Sequence, residues 1–198
     1  MLRTLRLPLL VVLALAIAFY GGIASSLYAF DHVRQFESVT VGPWSAWPDL
    51  QTGRVDPYAR AYRARKADLL LGEAEGVVFT AKTDDQGRAL SGTCSYVISG
   101  TTPRARFWTL RATSADGAPI GGNPALPHAF QSQDVLGDGH GGMRIAAAPT
   151  ARPGNWLAIR HAGRIHFVLT LYDTPAAGNA GIIDLKMPSI ERTGCGDA

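Results

Sequence analysis

Only two cysteines occur among the 198 residues, and they are not arranged as C-x-x-C. That excludes a thioredoxin-like redox site and a zinc ribbon. The chain has no G-x-S-x-G elbow, no H-E-x-x-H pair, no Walker loop and no dinucleotide-binding glycine fingerprint. The chemistries that depend on those arrangements have no foothold here. A basic surplus is missing as well. The formal charge is +3, but residues 1–30 contain Arg3, Arg6 and no acid, so the rest sets 17 basic side chains against 16 acidic ones. That balance is no nucleic-acid footprint, and no nucleic-acid partner is expected.

What is present is apolar and turn-rich. Gly (22) and Pro (12) are too frequent for a helical bundle, and 46% hydrophobic residues are too many for a disordered chain. From Leu7 to Phe30 no formal charge occurs. As a helix this run spans about 36 Å, enough to cross a hydrocarbon core of about 30 Å with tilt. Arg3 and Arg6 precede it, so the positive-inside bias keeps the N-terminus in the cytoplasm. The expectation is a signal-anchor over residues 1–30, single-pass in the inner (cytoplasmic) membrane, with the body in the periplasm. The alternative is a cleaved signal peptide, with Leu7–Phe19 as its apolar region and Gly22-Ile23-Ala24 as its cleavage site. Apolar character resumes at Leu27–Phe30, beyond that cut, which favours retention. In either case the body leaves the cytoplasm. An oxidising compartment would let Cys94 and Cys195 pair. Two unrelated thiols are the other reading.

Residues 31–55 keep no regular period and read as a linker and lead-in, with Trp44 and Trp47 at a membrane interface or covering the edge of the body. The body proper is expected over 56–198. Asp56 is a good N-cap, Pro57 a good first helical residue and Gly72 a good stop, which predicts a helix over 56–72. Its Arg60, Arg63, Arg65 and Lys66 form a solvated face or meet lipid head groups or an acidic partner. Beyond Gly72 the grammar is that of strands and turns. Strand-like runs occupy Gly76–Lys82, Thr93–Ser99, Phe107–Thr113, Trp156–Arg160 and Ile165–Asp173, with short apolar pieces near Ala129–Leu136 and Met143–Ala148 and an edge-like strand near Ile190–Thr193. In the clearest run Ile165, Phe167, Leu169 and Leu171 alternate with His166, Val168, Thr170 and Tyr172. Short strands with turns every 8–15 residues argue for a mainly β protein, an antiparallel sandwich or jelly roll.

Several short motifs follow one another in a specific order. They are Asp56-Pro57-Tyr58-Ala59-Arg60-Ala61, Glu75-Gly76, Asp84-Asp85-x-Gly87, Phe107-Trp108-Thr109-Leu110, Asn123-Pro124, Pro153-Gly154-Asn155-Trp156-Leu157 and Leu169-x-Leu171-Tyr172-Asp173-Thr174-Pro175. Over about residues 40–195 this set resembles the domain-of-unknown-function family 1214. The resemblance implies a jelly-roll-like β-sandwich and, for short bacterial members, an N-terminal membrane anchor. It brings no catalytic residues. In longer relatives the domain follows a second one, of family 1254, so a separate family-1254-like protein is the expected partner.

For chemistry, a few residues stand out. Gly137-Asp138-Gly139-His140-Gly141-Gly142 precedes a strand rather than a helix, so it reads as a hairpin turn and not a phosphate cradle. Trp108 and Trp156 read as core or pocket walls. His128, Asp134, His166 and Asp173 are the candidates for a hydrolase or metal-assisted activity on an envelope-associated small molecule. No H-x-H with a following Glu supports a cupin-type centre, and neither a metal site nor a cofactor is expected. Asp173 either ends a strand or points into a site. The reading favoured is a non-catalytic envelope module that binds a partner or ligand.

Overall fold

The computed structural model describes residues 2–32, 39–47, 71–72, 75–120, 123, 125–137, 139, 141–177 and 185–196. Apart from Leu71 and Gly72, the helix expected over 56–72 lies outside them, as do Asp138 and His140. The chain divides into two units, Met1–Glu37 with Arg54–Asp68, and Ser38–Gly53 with Leu69–Ala198.

In the first unit, helix α1 runs over Leu2–His32. Its section Arg6–Tyr28 has 23 residues and a mean hydropathy of 2.4, which is long and apolar enough for a membrane anchor or a signal sequence.

The second unit is β throughout, with two sheets. The larger has six strands: β1 (Val39–Val41), β2 (Trp44–Ala46), β3 (Gly76–Ala81), β5 (Phe107–Ser114), β6 (Ala129–Gln131) and β9 (Ile165–Tyr172). Their order is β1-β2-β3-β9-β5-β6 and every pairing is antiparallel. The smaller contains β4 (Cys94–Gly100), β7 (Met143–Ala148), β8 (Asn155–Ala158) and β10 (Ser189–Cys195), in the order β10-β4-β7-β8. Here the all-antiparallel expectation is corrected, because β7 and β8 run parallel. Only six residues, 149–154, return the chain between them, about half of what a parallel crossover usually takes. The strands are short enough for that return. The indole Nε1–H of Trp156 reinforces it by donating to the Ala148 carbonyl at 3.0 Å.

One core joins the two sheets. Alternate residues of β9 (Ile165, Phe167, Leu169, Leu171) and β3 (Val77, Phe79, Ala81) meet Tyr96 and Ile98 of β4 and Ile145 and Ala147 of β7. Tyr96 meets Phe167 edge-on with ring centroids 5.7 Å apart, a favoured aromatic geometry. Its hydroxyl leaves the apolar core to accept the Ser91 N–H at 2.8 Å.

The lead-in also differs from its expectation. Residues Val39–Ala46 form the hairpin β1–β2, which pairs onto β3. Trp44 is fully buried, and its Nε1–H donates to the Pro188 carbonyl at 2.7 Å. Strands of three residues are too short to display a period, so the hairpin reads as irregular chain.

The last strand is held twice. Cys94 and Cys195 are joined in a disulfide at one end of the β4–β10 pair. Along the same strand, Asp84 accepts the backbone N–H of Gln86 and Arg88, at 3.1 and 2.9 Å, and lies 2.9 and 3.2 Å from Nε of Arg88 and Arg192. The Arg192 guanidinium also lies 5.5 Å from the Tyr96 ring centroid. The neighbouring Asp85 accepts the Ile190 N–H at 2.8 Å. These two carboxylates are shifted in opposite directions. Burial alone would push Asp84 up. The hydrogen bonds from Arg88, with the charges of Arg88 and Arg192, outweigh it and hold Asp84 below the ordinary carboxylate value. Asp85 is raised, first by burial and then by the charges of Asp84 and Glu191, against the Ile190 hydrogen bond.

Three predictions follow from this arrangement. A lowered folded pKa means that Asp84 stabilises the fold above the ordinary aspartate pKa, and that this contribution is lost as pH falls through the folded value. Asp85 works in the opposite sense, its ionisation costing stability as pH rises through its raised value. Asp84→Asn should therefore lower stability at pH 7 by about 2–3 kcal/mol and flatten the acid limb of a urea-midpoint profile. Asp85→Asn should leave the pH 7 midpoint unchanged or raised. Replacing both cysteines by serine should lower stability by up to about 4–5 kcal/mol, since the disulfide closes a loop of about 100 residues. Urea midpoints measured with and without reductant check this.

Candidate functional site

Strand β5 starts where the core ends. Trp108 shares the inward face with Leu110 and Ala112, but it is half-buried where Leu110 is fully covered. Beyond it lies a half-open pocket of about 210 Å³. The chain passes from the small sheet to the large one between β4 and β5, and returns between β6 and β7. Both crossings contribute walls. Gly100 ends β4 and the first crossing supplies Thr102, while the second supplies Ser132, Val135, Gly137, Gly141 and Gly142, with Met143 opening β7.

Local hydrogen bonds shape these walls. Ser132 donates its N–H to the Trp108 carbonyl at 2.9 Å, and its Oγ lies 3.5 Å from the Trp108 nitrogen. The glycine-rich turn is closed by an antiparallel bridge between Gly137 and Met143. Gly139 and Gly141 both have φ of +80°, which side chains with a Cβ rarely adopt. Gly137, Gly141 and Gly142 of the turn expected over 137–142 thus line the pocket.

Behind the wall stands Asn155, the first residue of β8, 8% exposed. Its Oδ1 accepts the Leu136 N–H at 2.9 Å, while Nδ2 donates to the carbonyls of Leu136 at 2.9 Å and Arg144 at 3.0 Å. One buried amide therefore fastens the stretch between Val135 and Gly137 to β7. Leu136 itself is 71% exposed, so this bond, not burial, restrains it. Reading the sequence left Asn155 unremarked except as part of a motif, because a single Asn beside Gly looks like a turn residue.

The four residues singled out from the sequence do not line this pocket. His128 precedes β6, and its two ring nitrogens lie 2.8 and 3.3 Å from the carbonyl oxygens of Asn123 and Ala158, bracing a loop. Asp134 is exposed in the turn after β6, where its N–H donates to the Gln131 carbonyl at 3.0 Å. His166 is half-buried on β9 opposite Thr113. Asp173 follows the last residue of β9 with φ of +48°, exposed and 3.5 Å from Arg106. Its N–H donates to the Glu75 carbonyl at 2.9 Å, and the next residue, Thr174, donates its hydroxyl to the Arg104 carbonyl at 2.6 Å. Asp173 thus ends a strand, the ordinary of its two expected roles. Among the described residues no three His, Cys, Asp or Glu side chains converge to hold a metal ion.

The family motifs mark close approaches and corners. A Cβ on Gly76 would come within 2.0 Å of the Leu171 carbonyl oxygen, so Glu75-Gly76 is where two backbones meet. Asp84-Asp85-x-Gly87 is the corner that grips β10.

Asn155→Ala should free the pocket wall without unravelling the sheet. The expected result is a stability loss of about 1–3 kcal/mol and exchange of the Leu136 amide at the rate of an unprotected loop, read by hydrogen-exchange NMR.

Comparison with known proteins agrees with this architecture. The VPA0106 protein from Vibrio parahaemolyticus superposes with a TM-score of 0.62 at 16% identity, over 90% of this chain and 44% of that one. The likeness is one of fold, and the chain spans less than half of that protein's length. A crystal structure of an uncharacterised protein from Burkholderia cenocepacia aligns over 90% of this chain and 50% of that one, with a TM-score of 0.42 and 14% identity. No curated protein matches. The family model for the protein of unknown function DUF1214 matches residues 75–176, or 102 of 198. Covering just over half of the chain, with strands β3 to β9, that match establishes that the chain belongs to the DUF1214 family.

Proposed function

We propose that this protein is a bacterial envelope module, anchored in the inner membrane by α1, with a jelly-roll-like β-sandwich in the periplasm that works by binding rather than catalysis. The pocket at Trp108 carries the reading. Its described lining residues are Trp108, Val135 and Met143, Thr102 and Ser132, and four glycines, the mix of apolar residues with few polar ones usual in binding clefts. The apolar span Arg6–Tyr28 and the Cys94–Cys195 disulfide support an anchored body in an oxidising compartment. The solved relative is more than twice as long. We take the partner of this chain to be a protein resembling family 1254, because the resemblance places the two domains side by side in longer relatives.

Crosslinking in membranes, purification of the full-length protein and mass spectrometry test the pairing. One stoichiometric envelope partner is expected, and recovery of the protein alone would sink the idea. Protease added to intact spheroplasts should digest the β body; a protected body would place it on the cytoplasmic side instead.

A further inference from the structure

We propose that the Trp108 pocket binds one ring of a neutral saccharide, an assignment that rests on the binding-module reading above and gives it a ligand class. Size restricts the choice first. At about 210 Å³ the pocket is smaller than the roughly 300–1,000 Å³ of sites for drug-sized ligands, so it takes a single ring and not an extended acyl chain or a nucleotide.

Chemistry restricts it further. A pyranose presents an apolar C–H face bordered by hydroxyls. Trp108, Val135 and Met143 supply apolar walls, with the electron-rich indole suited to a C–H face. Thr102 and Ser132 supply hydroxyls that donate and accept alike, which suits sugar hydroxyls of the same dual character. None of the described lining residues is ionisable. A phosphate or carboxylate would meet no cation among these described residues, and a wholly apolar ligand would use neither hydroxyl. Asn155 fixes the wall between Val135 and Gly137 before any ligand arrives, which lowers the ordering cost of binding. The pocket is half-open, so a ring can enter while still attached to a longer glycan.

The test uses full-length protein in phosphatidylcholine nanodiscs, because glycoside detergents would compete. Saturation-transfer NMR and tryptophan fluorescence are recorded with diacetylchitobiose, chitotetraose, maltose and cellobiose. At least one should bind, with affinity falling about tenfold in Trp108→Ala, falling in the near-isosteric Thr102→Val, and retained in Trp108→Phe. The conservative variants keep the test decisive if Trp108→Ala misfolds. Tighter binding of chitotetraose than diacetylchitobiose identifies an envelope glycan as the source, whereas equal binding identifies a free sugar. If none of the four shows Trp108-dependent binding, the assignment is overturned. Trp108-dependent binding of indole or inorganic phosphate instead would overturn the saccharide while leaving the binding module standing. A partner found by crosslinking with no saccharide signal would separate the two readings in the same way.

Discussion

Asp84 is the only charged side chain among the described residues that is almost wholly removed from water, at 2% exposure. A carboxylate in that position is tolerable only with its oxygens satisfied. Here two backbone N–H groups and the Arg88 guanidinium donate to it, and the Arg192 guanidinium adds an opposite charge 3.2 Å away. One of those arginines belongs to β10, so the final strand becomes part of the solvation of a corner laid down after β3. Around this point the small sheet is assembled. Asp85 takes the Ile190 N–H, the Arg192 guanidinium lies near the Tyr96 ring, and Tyr96 reaches Phe167 of the large sheet. Loss of the Asp84 charge would strand Arg192 and loosen the side of the core that joins the sheets.

Strands that alternate were readable from the sequence because burial on one face imposes a period of two. β9 appears within a residue of its expected limits for that reason, and β3 does so because its Val, Phe and Thr content stops at a clear turn. The hairpin Val39–Ala46 was not readable. It has three residues per strand, and its one decisive feature, the burial of Trp44 against Pro188, joins residues far apart in the chain. The parallel pairing of β7 with β8 escaped for a related cause: strand direction is set by neighbours, not by composition. Asp84 could be recognised as a turn residue, but its partner Arg192 lies in another strand and nothing local announces it.

The candidate site divides in the same way. Trp108 was read as core or pocket wall, and it serves as both. The glycine turn was recognised by its residues, yet its use as a wall depends on where two crossings between sheets coincide. Histidines and aspartates attracted notice for their chemistry. Where the structure describes their contacts, His128 braces a loop and Asp173 ends a strand. The residue with most influence over the pocket, Asn155, has no reactive group at all. Its importance comes from being buried with two hydrogen bonds to the exposed Leu136 and a third to Arg144 of β7.

The disulfide has a mechanical consequence. Cys94 and Cys195 enclose β4 to β10 in one covalent loop, while β1, β2 and β3 lie upstream of it. Tension entering from the N-terminal side therefore reaches first the strands outside the loop, which are held to β9 by backbone hydrogen bonds and side-chain packing. Once those strands peel away, the segment between the two cysteines cannot lengthen the chain, because force passes from Cys94 to Cys195 across the sulfur bridge. The protein is built to yield at β3 and to stop yielding at Cys94.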